Sequence, residues 1–105
     1  MSPMIAPVES KRAEVARLCE RYHVRRLEIF GSACAQGFDP ATSDLDFLVE
    51  FHDVPEGERA NCYFGLLEGL EAMFGRSIDL VEEKAIDNPY FLAAIERTRK
   101  VLYAA

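Results

Sequence analysis

Three short motifs in the sequence combine residue types suited to binding phosphate and divalent cations. They are Gly31-Ser32, Asp44-x-Asp46 and Asp79, the last within the apolar stretch SIDLV. Because side chains alternate along a β-strand, the carboxylates of Asp44 and Asp46 are expected on the same face. Two adjacent carboxylates repel each other unless solvent or a cation neutralises them. The DxD pair therefore predicts a cation site at the start of a strand.

Asp79 is the third candidate ligand. It lies between Ile78 and Leu80, which face the opposite way and can anchor the strand in a core. An unpaired carboxylate would be costly to bury in such a segment. If this strand neighbours the one that carries Asp46, three carboxylates converge. Such an oxygen set suits Mg²⁺ or Mn²⁺ rather than zinc.

Gly31-Ser32 ends an apolar stretch and is expected to open a short helix. A glycine there lets the backbone approach a phosphate, free N–H groups at a helix start favour anions, and Ser32 adds a hydroxyl donor. Each motif alone is weakly informative, because a lone DxD is more often a strand end or a surface turn. Together and in this order, they indicate phosphoryl or nucleotidyl transfer assisted by a metal.

The elements that must position these motifs follow from periodicity and from turn residues. Apolar residues at helical spacing predict helices over residues 8–22, 58–74 and 88–99, with Asn88-Pro89 as a start signal and Gly75 as a C-terminal cap. Strands are predicted over residues 26–30, 44–51 and 77–81, with the short helix that starts at Gly31-Ser32 between the first two. The apolar tail 101–103 is expected to dock on the core or on a partner. The predicted fold is α+β, a small mixed sheet covered by helices in the order α-β-α-β-α-β-α.

Size and charge restrict the possible functions. The 105 residues are expected to form a single domain, 1–105, with residues 1–7 loose. The net charge of −6 argues against an extensive nucleic-acid surface. No apolar run suggests a signal peptide or a membrane span. Three scattered cysteines, Cys19, Cys34 and Cys62, suggest packing residues in a reducing compartment, and so a cytoplasmic protein.

The combined motif resembles the minimal nucleotidyltransferase (MNT) domain of the DNA polymerase β superfamily. The matching text is LEIFGSACAQGFDPATSDLDFLVEF at residues 27–51 and SIDLV at residues 77–81. The likeness extends over nearly the whole chain and implies a fold like the polymerase β palm. Two features depart from the family pattern. Eleven residues rather than ten separate Ser32 from Asp44, and the segment 33–37 carries no basic residue.

The resemblance also implies roles for the site residues. Gly31 and Ser32 would hold the β- and γ-phosphates of a nucleoside triphosphate. Asp44 and Asp46 would bind two divalent metals, Mg²⁺ or Mn²⁺. Asp79 would ligate the catalytic metal and help to deprotonate the attacking hydroxyl. A nucleoside monophosphate, AMP from ATP, would then be transferred and pyrophosphate released.

The partner is likewise implied by the resemblance alone. Stand-alone MNT proteins include MntA-like antitoxins, which adenylylate a tyrosine of a HEPN-domain toxin, so a hetero-oligomer or a homodimer is expected. Two alternatives stay open. The missing basic residue suits a non-enzymatic binding module that masks its partner, whereas a small-molecule (antibiotic) nucleotidyltransferase would ordinarily carry a further domain.

Overall fold

A computed structural model of the chain describes residues 10–31 and 45–105. Its helices are α1 (Arg12–Arg21), α2 (Glu56–Phe74) and α3 (Pro89–Glu96). Its strands are β1 (Val24–Phe30), β2 (Leu45–Phe51), β3 (Ile78–Glu82) and β4 (Lys100–Ala104), with a 3-10 turn at Glu83–Ala85. The predicted loose segment 1–7 lies outside the described residues, and so does the predicted short helix beyond Gly31.

The strands form one mixed sheet in the order β3-β2-β1-β4. β1 is antiparallel to both β2 and β4, whereas β2 and β3 are parallel. A parallel pair needs a crossover connection, and the 19-residue helix α2 provides it. The α+β prediction, a small mixed sheet covered by helices, is confirmed.

The fourth strand was not among the three predicted strands. The apolar tail does dock on the core, but as β4, which pairs with β1 through Leu27 and Tyr103. Leu102 is buried, and the Arg12 guanidinium donates to the Val101 and Leu102 carbonyl oxygens at 3.3 and 3.2 Å. Helix α1 is thereby tied to this edge of the sheet.

The larger core lies between the sheet and the helices α1 and α2. Helix α1 lies within the predicted range 8–22 and buries an apolar stripe, since Val15 and Cys19 are fully buried. A Cβ added at Gly69 would lie 2.7 Å from a Leu18 methyl carbon, so the small residue permits α1 to approach α2 closely. The strands fill this core with one set of alternating residues: Leu27, Ile29, Leu45, Phe47, Val49, Leu80 and Leu102.

A smaller cluster lies on the opposite face of the sheet, beneath α3. Ile95 packs there on Phe30 and Leu48. The predicted N-terminal signal of α3 is confirmed, because the Asn88 side chain accepts from the backbone N–H groups of residues 90 and 91. The helical spacing of Phe91, Ala94 and Ile95 predicts that all three face inward, but Ala94 is exposed, because α3 contacts the sheet mainly through Ile95.

This second face also buries a charged residue. Glu28 is only 2% exposed, and Arg99 donates to its two carboxylate oxygens at 2.6 and 2.9 Å. Arg26 adds a further contact at 2.8 Å, and Arg99 also reaches Glu83 and Glu96. Arg99 is therefore not a solvated cation, the ordinary state of an arginine beyond a helix end. The ion pair joins the residues after α3 to the middle of β1.

The Glu28 ion pair predicts a specific dependence of stability on pH. The Arg99 hydrogen bonds outweigh burial and hold the pKa of Glu28 below its ordinary value of 4.5. A carboxylate with a lowered pKa stabilises the fold above its ordinary pKa, and this contribution is lost as the pH falls through the lowered value. We therefore expect Glu28→Gln to cost most stability near pH 7, with the gap from wild type narrowing below about pH 4.5.

Urea unfolding of wild type and Glu28→Gln between pH 7 and pH 3 measures this gap. Glu68→Gln, at an exposed position of α2, is the matched control and should stay close to wild type throughout. A gap for Glu28→Gln that does not change with pH would contradict the assignment.

The two described cysteines behave as predicted. Cys19 and Cys62 are free and buried. Burial, with a smaller contribution from Glu20, raises the pKa of Cys19 to about 12, and burial raises that of Cys62 as well. Neither thiol is activated as a nucleophile. Cys34 lies outside the described residues.

Within residues 10–31 and 45–105, no helix has the length and apolar character to cross a membrane.

Candidate active site

Two of the three predicted carboxylates lie directly opposite each other in the sheet. Asp46 of β2 and Asp79 of β3 are register partners in the parallel pair. Neighbouring strands lie about 4.8 Å apart, and paired residues direct their side chains to the same face. The condition for the two carboxylates to converge, that the Asp79 strand neighbours the Asp46 strand, is therefore met.

The hydrophobic pattern of each strand determines which face the carboxylates occupy. In β2, Leu45 and Phe47 are buried in the larger core, so Asp46 between them points to the α3 face. In β3, Ile78 and Leu80 pack on that same core and direct Asp79 likewise. A shift of one residue in either register would bury a carboxylate in the apolar core, which makes this register strongly favoured.

Gly31 brings the backbone of β1 against the Asp46 carboxylate. Phe30, the last residue of β1, is the register partner of Asp46. Gly31 follows it with a φ of 78°, in the left-handed region that favours glycine. A Cβ at this position would lie 2.6 Å from Asp46 Oδ2. Only a residue without a side chain fits here without displacing the carboxylate.

The two carboxylates differ in exposure. Asp46 is half-buried, whereas Asp79 is exposed on β3, which is an edge strand of the described sheet. Solvent, and any molecule arriving from it, can therefore reach Asp79 directly.

Tyr63 of α2 holds β3 from the opposite face. Its hydroxyl donates to the backbone carbonyl oxygen of Leu80, next to Asp79. Burial, followed by the negative charges of Asp79 and Glu82, raises the pKa of Tyr63. The phenol therefore stays protonated and keeps this hydrogen bond at neutral pH. The helical spacing of Tyr63 predicts a core position, and it packs there, but nothing in the sequence indicates this hydrogen bond.

The structure thus brings together Gly31, Asp46 and Asp79. Ser32 and Asp44, the other two predicted site residues, lie outside the described residues. In the two described ranges, no group of three or more His, Cys, Asp or Glu side chains is arranged to hold a metal ion. The two described carboxylates therefore need a further ligand to complete the predicted set.

Thr98 is a neighbour of the site that sequence reasoning did not find. Its hydroxyl accepts from the Gly31 backbone N–H at 2.9 Å across 67 residues of sequence. No periodic pattern connects these two positions. The sequence shows only a polar side chain just before Arg99, and this does not indicate a contact with Gly31.

Comparison with protein families gives one match that covers most of the chain. The family model described as "Nucleotidyltransferase domain" matches residues 14–102. That range includes Gly31, Asp46 and Asp79, and also Ser32 and Asp44, the two predicted site residues that the structure does not describe.

Two named relatives are similar to this chain over about three quarters of its length. A Methanocaldococcus jannaschii protein named "Putative protein adenylyltransferase MJ0128" is 39% identical over 79 residues, 75% of this chain and 76% of the relative. A Thermococcus cleftensis protein named "Protein adenylyltransferase MntA" is 35% identical over 74 residues, 70% of this chain and 71% of the relative.

Two solved structures share the fold. One, described as a "putative minimal nucleotidyltransferase", aligns with a TM-score of 0.70 and 31% identity over 89% of this chain and 90% of its own. The other, described as a toxin–antitoxin with AMP-PNP, aligns with a TM-score of 0.61 and 19% identity over 90% and 73%. At that identity the second match concerns the fold alone.

Proposed function

Since this chain belongs to the nucleotidyltransferase domain family, we propose that it transfers AMP from ATP to a tyrosine hydroxyl of a partner protein, with release of pyrophosphate. The observation that carries the proposal is the pairing of Asp46 with Asp79 beside the Gly31 backbone. The protein acceptor is favoured by the names of the two relatives, both protein adenylyltransferases.

The proposed cation ligands are Asp44, Asp46 and Asp79, for Mg²⁺ or Mn²⁺. The described pair fits such an ion, because two carboxylates side by side repel each other and hard oxygen ligands suit these metals. A bound divalent ion would neutralise phosphate charge and make the attacking hydroxyl more acidic. Because Gly31 has no side chain, the Asp46 carboxylate can occupy its position beside the backbone of β1.

Each site residue of the chain has its own role in the proposed reaction. Gly31, through its lack of a side chain, and Ser32, through its hydroxyl, hold the β- and γ-phosphates, which leaves the α-phosphate facing the carboxylates. Asp79, exposed on its edge strand, accepts the proton of the incoming hydroxyl. The hydroxyl oxygen bonds to the α-phosphorus while the bond from that phosphorus to the pyrophosphate oxygen breaks.

The proposed acceptor is a HEPN-type toxin in the cytoplasm, and the proposed biological role is that of its antitoxin. This setting rests on the resemblance to stand-alone MNT proteins. The two buried free thiols suit a reducing compartment. The acidic net charge of −6 suits a protein acceptor better than a nucleic acid.

The test is a transfer assay with the protein encoded by the adjacent gene as acceptor. It contains ATP labelled on the α-phosphate and Mg²⁺, with ATP labelled on the γ-phosphate in parallel. Label on the partner from α-labelled ATP alone supports AMP transfer. Label from the γ-phosphate would indicate phosphoryl transfer instead. Mutation of the modified tyrosine to phenylalanine should abolish the signal.

The same assay separates the alternatives. A partner that is bound and inhibited without ever being labelled would favour masking, to which the lack of a basic residue in segment 33–37 points. Label that moves to an aminoglycoside and never to the partner would favour a small-molecule (antibiotic) nucleotidyltransferase.

A further inference from the structure

We propose that Thr98 is the positioning residue for Gly31, and that its hydroxyl adjusts this protein's affinity for the nucleotide phosphates. The inference rests on the proposed function, and it assigns to that function a residue from the turn after α3. The starting observation is the 2.9 Å hydrogen bond from the Gly31 N–H to the Thr98 hydroxyl.

Thr98 is itself held on both sides. Its backbone N–H and that of Arg99 both donate to the Ile95 carbonyl oxygen, at 3.0 and 2.9 Å. Ile95 is buried against Phe30, the residue before Gly31. The Arg99 side chain is fixed by the buried Glu28 carboxylate. The Thr98 hydroxyl is thus presented from a rigid turn.

Gly31 is consequently fixed between two groups. On one side Asp46 Oδ2 occupies the space that a Cβ would fill, and on the other Thr98 holds the amide. The N–H of Gly31 is already engaged and is not available to a phosphate. Gly31 therefore contributes its left-handed conformation and its lack of a side chain. The Thr98 hydrogen bond maintains that conformation at the end of β1, immediately before Ser32 in the sequence.

The test compares Thr98→Val, which keeps the shape but loses the hydroxyl, with Thr98→Ser, which keeps the hydroxyl. Ala94→Val places the same β-branched side chain at an exposed position of α3 and is the matched control. Titration calorimetry with AMP-PNP and Mg²⁺ gives the affinity of each variant. Assays at varied ATP give KM and kcat, and hydrogen–deuterium exchange reports on the Gly31 amide.

For Thr98→Val we expect an AMP-PNP Kd and an ATP KM raised about fivefold to tenfold, as for the loss of one hydrogen bond. We expect kcat to change less than about threefold, because the reacting groups are untouched. Exchange at Gly31 should become faster. Thr98→Ser should restore the affinity, and Ala94→Val should match wild type. A role confined to folding would lower the thermal midpoint without altering the Kd of the folded variant.

Two results would overturn the inference, and they differ in whether the proposed function fails with it. If wild type binds AMP-PNP and Thr98→Val binds it equally well, Thr98 does not position the site, while the proposed function stands. If wild type binds no nucleoside triphosphate, the proposed function fails and the inference fails with it.

Discussion

Replacing Asp46 by asparagine is expected to lower AMP transfer by about a thousandfold, because a carboxylate that helps to hold a catalytic divalent ion accounts for several kcal/mol of transition-state stabilisation. The amide has the same shape but no charge to attract a cation. Asp46 is half-buried at a strand end, so the uncharged variant should fold normally. Its register partner Asp79 is expected to behave in the same way when changed to asparagine.

The measurement is the initial rate of label transfer from α-labelled ATP, together with Mn²⁺ binding followed by electron paramagnetic resonance. Asp53→Asn is the matched control, because Asp53 is an exposed acid just beyond the opposite end of β2. It should leave both rate and Mn²⁺ affinity unchanged. An Asp46→Asn variant that retains more than about a tenth of the rate would remove Asp46 from the catalytic set.

Replacing Arg99 by alanine is expected to lower the free energy of unfolding by about 3–5 kcal/mol, because it leaves the buried Glu28 carboxylate without its main partner. Glu28 is 2% exposed and the Arg99 side chain 14% exposed, so water cannot readily take the place of the guanidinium. Arg26 still contacts Glu28, but its side chain is 48% exposed and it forms a single contact there.

Urea unfolding monitored by circular dichroism measures the loss. Arg97→Ala changes an exposed arginine two positions away and should cost less than about 0.5 kcal/mol, as surface substitutions usually do. The double variant Glu28→Met with Arg99→Met should recover much of the stability, because an apolar pair avoids the desolvation of two charges. Equal costs for Arg99→Ala and Arg97→Ala would show that the buried ion pair does not stabilise the fold.

Much of the site could be predicted because its signals are local. The alternation of Leu45, Asp46 and Phe47 determines which side chain faces the core, and the same holds around Asp79. The pairing of Asp46 with Asp79 needed only one further assumption, that β3 lies beside β2. The predicted metal-ligand and phosphate-binding roles remain predictions, and Ser32 and Asp44 lie outside the described residues.

What the sequence did not reveal depends on contacts between distant positions. Glu28 alternates with Leu27 and Ile29, a pattern typical of a solvated face, yet α3 and the segment after it cover that face. Arg99 and Thr98 reach β1 across 71 and 67 residues, and no periodicity links them to their partners. The tail that forms β4 is apolar but only five residues long, and its strand conformation depends on pairing with β1.

The strand order has a consequence for the synthesis of the protein. β1, second among the described elements to be translated, lies between β2 and β4, the last of the described strands. One edge of β1 therefore remains unpaired on the ribosome until residue 104 has emerged, and exposed edges of this kind favour aggregation. Thr98 is translated shortly before β4. A nascent chain should consequently complete this sheet, and present the Thr98 hydroxyl to Gly31, only after β4 has emerged from the ribosome.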